Sequence, residues 1–155
     1  MLPILPDFTD YLMTEALEQA RRAAASGEVP VGAVLAYNNQ IIARAHNTTE
    51  RDKNVASHAE LHVIREGSAH LGDWRLSECI LCVTLEPCTM CIGAVRLSRI
   101  PTIVIGASDS KQGACGSLFD LSVDERLGGT VRIIRDIKSN ECSEMLRTFF
   151  ASRRT

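Results

Sequence analysis

A chain of 155 residues, 45% hydrophobic and 23% charged, has the size and balance of one compact domain, 1–155, and leaves a second core of ordinary size unsupported. Its net charge of -2 excludes a protein that coats nucleic acid through bulk positive charge, although a local basic patch is compatible with it. No apolar run reaches membrane-spanning length, and the apolar start, Met1 to Phe8, is short, lacks a basic region and contains Pro3 and Pro6, so it fails as a secretory signal. The six cysteines then read as thiols of a reducing compartment, the cytoplasm, serving as buried hydrophobes or metal ligands.

From Asp10 to Ala25 apolar positions recur at helical spacing (Leu12, Ala16, Leu17, Ala20, Ala24), which predicts a first helix capped by Thr9 and stopped at Gly27. Val31–Tyr37 and Gln40–Ala45 are β-prone runs separated by Asn38 and Asn39, residues that accept the positive φ of a tight hairpin. A polar stretch, Asn47 to Ser57, precedes a helix over Ala59–His70, with Ser57 as its cap and Gly72 at its end. Glu78–Leu85 is a nearly continuous apolar run, as expected of a strand covered on both faces. Pro87 ends that strand, and a helix follows over Cys88–Leu97. Thr102–Ala107 and Val131–Ile137 are further strands, separated by a loop with a short, weakly periodic piece, and Asn140–Ser152 closes the chain as a helix. This order predicts an α/β fold of three layers, a mixed five-stranded sheet between helices.

Three side chains of metal-binding type stand at predicted helix starts: His58, Cys88 and Cys91. Residues three apart on a helix share a face, so both sulfurs reach one ion, and a helix N-terminus favours thiolates. Three protein ligands leave the fourth tetrahedral position to water, the arrangement of catalytic rather than structural zinc. Glu60, two residues after His58, is placed to shuttle that water's proton without joining the ligands. His58-Ala59-Glu60 with Pro87-Cys88-Thr89-Met90-Cys91 is the signature of zinc nucleobase deaminases.

Plainer readings cover the neighbouring residues. Cys79 and Cys82, also three apart, lie in a predicted strand, where that spacing points them to opposite faces, so core packing is expected of them and of Cys115 and Cys142. His58 and His62 have the spacing of zinc proteases, but those need glutamate where Ala59 stands. His46, His62 and His70 are expected to be surface or hydrogen-bonded histidines.

Beyond the metal motif, the chain resembles the bacterial tRNA-specific adenosine deaminases of the cytidine/deoxycytidylate deaminase superfamily. The likeness runs from Glu28-Val29-Pro30-Val31-Gly32-Ala33-Val34 through Thr84-Leu85-Glu86-Pro87-Cys88 to Phe149, Phe150, Arg153 and Arg154. It implies a cytidine deaminase-like fold, a homodimer and one Zn2+ per subunit. By the same likeness His58, Cys88 and Cys91 are the ligands and Glu60 the general acid/base. Asn47 would contact the target nucleoside, Pro30 and Val31 would wall its pocket, and the Asp109-Ser110-Lys111 loop would touch RNA. The implied reaction turns adenosine into inosine at the wobble position (34) of a tRNA anticodon stem-loop, zinc-activated water attacking C6 of a flipped-out base. The last helix bears Phe149 and Phe150 beside Arg147, Arg153 and Arg154, groups able to stack on bases and pair with phosphates. Phe149 is taken as a substrate contact, with packing onto the sheet as the open alternative.

Two segments depart from that family's pattern: Lys53 to Ser57, where aspartate, proline and threonine are usual, and Leu121 to Val131, where Arg126, Leu127, Gly128 and Gly129 replace an asparagine and histidine. Neither includes a ligand. Two other functions fit the same zinc motif: a deaminase of free guanine, cytosine or cytidine, and a non-catalytic RNA-binding module in which Glu60 is only a helix residue.

Overall fold

The computed structural model describes residues 3–153. Met1, Leu2 and Arg154, named above in the apolar start and the basic terminal cluster, lie outside the described residues. The first helix, α1, spans Pro6–Ala25, beginning before the expected Asp10 because proline suits a first helical position, where no amide partner is needed. Leu5 is its N-cap, and Thr9 instead lies buried in the first turn, its hydroxyl donating to the Pro6 carbonyl at 2.8 Å. Gly27 leaves the helix at a φ of 81°, which glycine adopts without strain.

Strands β1 (Gly32–Tyr37) and β2 (Gln40–His46) form the expected hairpin, with Asn38 and Asn39 both at positive φ, 51° and 61°. The polar stretch after them contains a short helix absent from the sequence reading, α2 (Thr49–Asp52). Then come α3 (Ala59–Leu71), β3 (Cys79–Leu85), α4 (Thr89–Leu97) and β4 (Thr102–Ala107). A 3-10 turn, Glu125–Leu127, is the weakly periodic piece of the loop. The expected strand over 131–137 shrinks to β5 (Arg132–Ile134), because Asp136 and Lys138 take left-handed φ of 61° and 53° and turn the chain into α5 (Ser139–Ser152).

The five strands lie in the order β2-β1-β3-β4-β5, with β1 antiparallel to β2 and β3, and β3, β4 and β5 mutually parallel. Alternation along the strands divides the core between two layers. Ala33, Leu35, Leu81, Val83, Ile103 and Ile105 pack with Val63 of α3 and with Ile92 and Val95 of α4. Val34, Ala36, Cys82 and Val104 pack with Leu12, Met13 and Leu17 of α1 and with Cys142 of α5. Cys79 and Cys82 fall in opposite layers, as the strand period requires, and the Cys82 sulfur lies 3.9 Å from that of Met13. The sheet is mixed and sandwiched between helices, as the element order predicts.

This topology brings four chain segments to one end of the sheet. The register pairs Gly32 with His46 and Ala33 with Val83, so the start of β1 lies beside the ends of β2 and β3. Leu85 pairs with Ala107, so the end of β4 joins them. The first residue of β1 is packed so tightly against α1 that a Cβ there would press on the Ala16 carbonyl oxygen and the Ala20 nitrogen, both backbone atoms. Replacing Gly32 by alanine is therefore expected to lower stability by at least about 1–3 kcal/mol, the usual cost of overpacking. Urea unfolding of the variant against the parent checks it.

Candidate active site

Helix α3 begins at the strand ends, and its N-cap is His58 rather than the expected Ser57. The imidazole makes no capping bond; the Asn47 amide oxygen instead accepts from the Ala59 amide at 2.8 Å, satisfying a helix donor from the end of β2. Ser57 turns its hydroxyl to the Asp52 carboxylate at 2.8 Å. Cys88 is likewise the N-cap of α4 without a capping bond, and Cys91 lies one turn further on. Freed from capping, these side chains face one another. His58 Nδ1 lies 3.7 Å from Cys88 Sγ and 3.4 Å from Cys91 Sγ, and among the described residues the three donor atoms lie within 4.8 Å of each other.

Zinc bonded tetrahedrally at about 2.0–2.3 Å needs donors roughly 3.3–3.8 Å apart. The observed imidazole–sulfur separations meet that requirement, and a nitrogen with two sulfurs is a donor set zinc prefers. A hydrogen bond from Cys91, helped by His58, pulls the Cys88 thiol down to about 4 against burial, and the Cys91 thiol is pushed up by the same sharing. The Cys88 bond also raises the His58 imidazole above its ordinary value. Glu60, in the first turn of α3, is buried, and burial pushes its carboxyl above the usual carboxylate range.

His58, Glu60 and Cys88 line a cleft of about 1120 Å³, while Cys91 is buried behind them. Val29, Val31, Asn47, Leu85, Asp109, Lys111, Phe149 and Phe150 are among its lining residues. Pro30 is not: it is buried at the centre of a tight turn closed by the Val31 amide on the Val29 carbonyl at 2.8 Å. The turn presents Val29 and Val31 to the cleft, so Val29 replaces Pro30 in the expected wall. Asn47, whose amide oxygen is engaged by α3, also lines the cleft.

The terminal helix closes one side. Phe149 is 9% exposed and lies edge to face with Phe150, which is 44% exposed. Both rings line the cleft, but Phe149, the one taken from sequence as a substrate contact, is mostly buried, and Phe150 is the more exposed. Arg153 lies 4.3 Å over the Phe149 ring and donates to the Gly27 carbonyl at 3.0 Å, tying α5 to the turn after α1. Asp109 Oδ1 accepts the Lys111 and Gln112 amides, so its first task is to shape its own loop.

Two acids of the cleft were assigned no role from the sequence. Glu28 accepts the amides of Glu50 and Arg51, both at 2.9 Å, and thereby anchors α2; Glu86 anchors the wall beyond β4. Both stand in the segments that carry the resemblance, Glu28 to Val34 and Thr84 to Cys88, but spacing alone gave neither a role. His46 and His62 hydrogen-bond locally and His70 is exposed, as expected; all six cysteines are free, with Cys115 and Cys142 buried.

Residues 6–107 match the family described as the cytidine and deoxycytidylate deaminase zinc-binding region. The chain is 46% identical over 141 residues to the tRNA-specific adenosine deaminase of Bacillus subtilis, covering 91% of this chain and 88% of that one. It is 42% identical over 149 residues to the enzyme of the same name from Haemophilus influenzae, covering 96% and 86%. A solved structure from studies of A-to-I editing by tRNA:A34 deaminases at the wobble position of transfer RNA superimposes with a TM-score of 0.85 at 38% identity, over 88% of this chain and 99% of that one. The guanine deaminase of Nitrosomonas europaea shares the fold, with a TM-score of 0.75 at 22% identity over 97% and 87%. On the shared zinc-binding region and an identity sustained over nine-tenths of its length, the chain belongs to the family of tRNA-specific adenosine deaminases.

Proposed function

We propose that this protein hydrolyses adenosine to inosine at the wobble position of a tRNA anticodon stem-loop, the whole of 1–155 acting as one domain in the cytoplasm. No helix among the described residues is long and apolar enough to cross a membrane. The observation that carries the reading is the buried Glu60 beside the His58, Cys88 and Cys91 donors, in a chain 46% identical to a tRNA-specific adenosine deaminase. His58, Cys88 and Cys91 would hold one zinc ion per subunit. When bound, zinc supplies Lewis acidity that makes water nucleophilic near neutral pH.

Glu60 takes the proton of the water that attacks C6 and gives it to ring N1, then carries the remaining hydroxyl proton to the amino group, which leaves as ammonia while C6=O forms. Asn47 orients the nucleoside through its amide nitrogen while Val29 and Val31 enclose the base. A single base fits well inside pockets of about 300–1,000 Å³, and a cleft of about 1120 Å³ has room for its neighbours too. Lys111, Arg147 and Arg153 on the rim suit phosphates, and Phe150 suits an unstacked base. These features favour an RNA loop over a free base.

A homodimer is supported by exposed apolar side chains that nothing covers among the described residues. Met90 and Leu97 are exposed on α4, and Leu118, Phe119, Val123 and Leu127 are exposed in the adjoining loop. The Arg96 guanidinium fastens that loop to α4 by donating to the carbonyls of Leu121, Ser122, Asp124 and Gly129.

Incubated with an anticodon stem-loop bearing a wobble adenosine, the zinc-loaded protein is expected to form inosine and to leave free guanine, cytosine and cytidine unchanged; the reverse result overturns the assignment. Glu60→Gln should keep its zinc and lose on the order of 10²–10⁴ in kcat, the usual share of a general acid/base. Turnover at the parental rate in that variant would remove Glu60 from the mechanism. Leu97→Glu, a change at an exposed position, is expected to shift the protein to monomer in sedimentation; an unchanged mass would place the interface elsewhere.

A further inference from the structure

The cleft holds an acid that the reaction does not use. Glu86 follows β3 directly, is 2% exposed, and forms no ion pair among the described residues. Four donors converge on its carboxylate instead. Oε1 accepts the Asp109 amide at 3.2 Å and the Ser117 hydroxyl; Oε2 accepts the amides of Cys115 at 3.0 Å and Ser117 at 3.1 Å. Its own amide donates to the Ala107 carbonyl at 2.8 Å, so the backbone beneath the carboxylate is fixed to the sheet.

The segment so tied, 108–117, forms a wall of the cleft through Ser108, Asp109, Ser110, Lys111 and Gln112, and contains no helix or strand. Gly113 permits the close approach: a Cβ there would press on Glu86 Oε2 and on the Asp109 carbonyl oxygen. A buried carboxylate saturated by charge-assisted bonds organises such a loop strongly, because its removal leaves these donors, the buried Cys115 amide among them, without their partner.

We propose that Glu86 is the positioning residue of this wall: without touching substrate, it sets the place at which the Asp109–Lys111 turn meets the RNA strand. The proposal rests on the cleft being the site of an anticodon loop; the hold of Glu86 on 108–117 does not. A wall contact of this kind is made alike in ground and transition states, so its loss falls on KM and spares kcat.

The test uses the full, zinc-loaded chain with the anticodon stem-loop. Glu86→Gln, isosteric, keeps one acceptor oxygen and turns an NH2 group toward donors; Ser117→Ala removes one bond of the four and leaves the strand end untouched. Glu86→Gln is expected to raise KM on the order of tenfold with kcat within about twofold, and Ser117→Ala to raise KM less. Zinc content should equal that of the parent in both, and hydrogen exchange at the Asp109, Cys115 and Ser117 amides should quicken in Glu86→Gln. A fall in kcat at constant KM, zinc loss in Ser117→Ala, or parental exchange at those amides would overturn the proposal. If the parent itself leaves the stem-loop unmodified, the substrate assignment fails, and the exchange measurement alone then decides whether Glu86 holds the wall.

Discussion

The site exists because four strand ends coincide. Antiparallel pairing of β1 with β2 and β3 sets the start of one strand beside the ends of two others, and parallel pairing of β3 with β4 adds a third end. Binding sites of open α/β sheets lie beyond the carboxyl ends of parallel strands, where connections diverge. Here Val31, Asn47, Glu86 and Ser108 all leave the sheet at that edge. A slip of one residue in the β1–β3 register would exchange the two core layers and carry Val31 away from the cleft, so the hydrophobic alternation that builds the core also holds the site in alignment.

Helix starts do the chemical work at this edge. His58 and Cys88 occupy N-cap positions yet cap nothing, and Asn47 supplies the missing acceptor for α3 from another strand. Division of labour follows: one side chain satisfies the helix and another is released to face the other two donors. The favourable field of two N-termini acts on the same small volume and suits thiolates there.

The loops around the cleft are held from within the protein. Glu28 and Glu86 each take backbone amides from a wall, and the segments 53–57 and 121–131 have local fastenings of their own. Thr48 and Ser57 donate to the Asp52 carboxylate, and these bonds, with Arg51, hold its carboxyl well below the ordinary range. Arg96 secures the other segment through backbone carbonyls, which ask nothing of the side chains they belong to.

What the sequence determined alone was what depends on near neighbours. Cysteines three apart after a proline, a histidine two before a glutamate, the period of each strand and the paired asparagines of the hairpin all express local geometry, and the metal-binding group with its layered sheet was legible from them. Tertiary structure decided the rest, because the partners lie far apart in the chain. Glu86 meets its donors 23 to 31 residues away and Glu28 meets Glu50 across 22, and no local spacing signals either. The placing of Phe149 inside and Phe150 outside, the replacement of Pro30 by Val29, and the transfer of the α3 cap from Ser57 to Asn47 were each settled by what another element presents at the point of contact. Local periodicity states which face of an element is apolar; only packing states which residue of that face a distant backbone reaches.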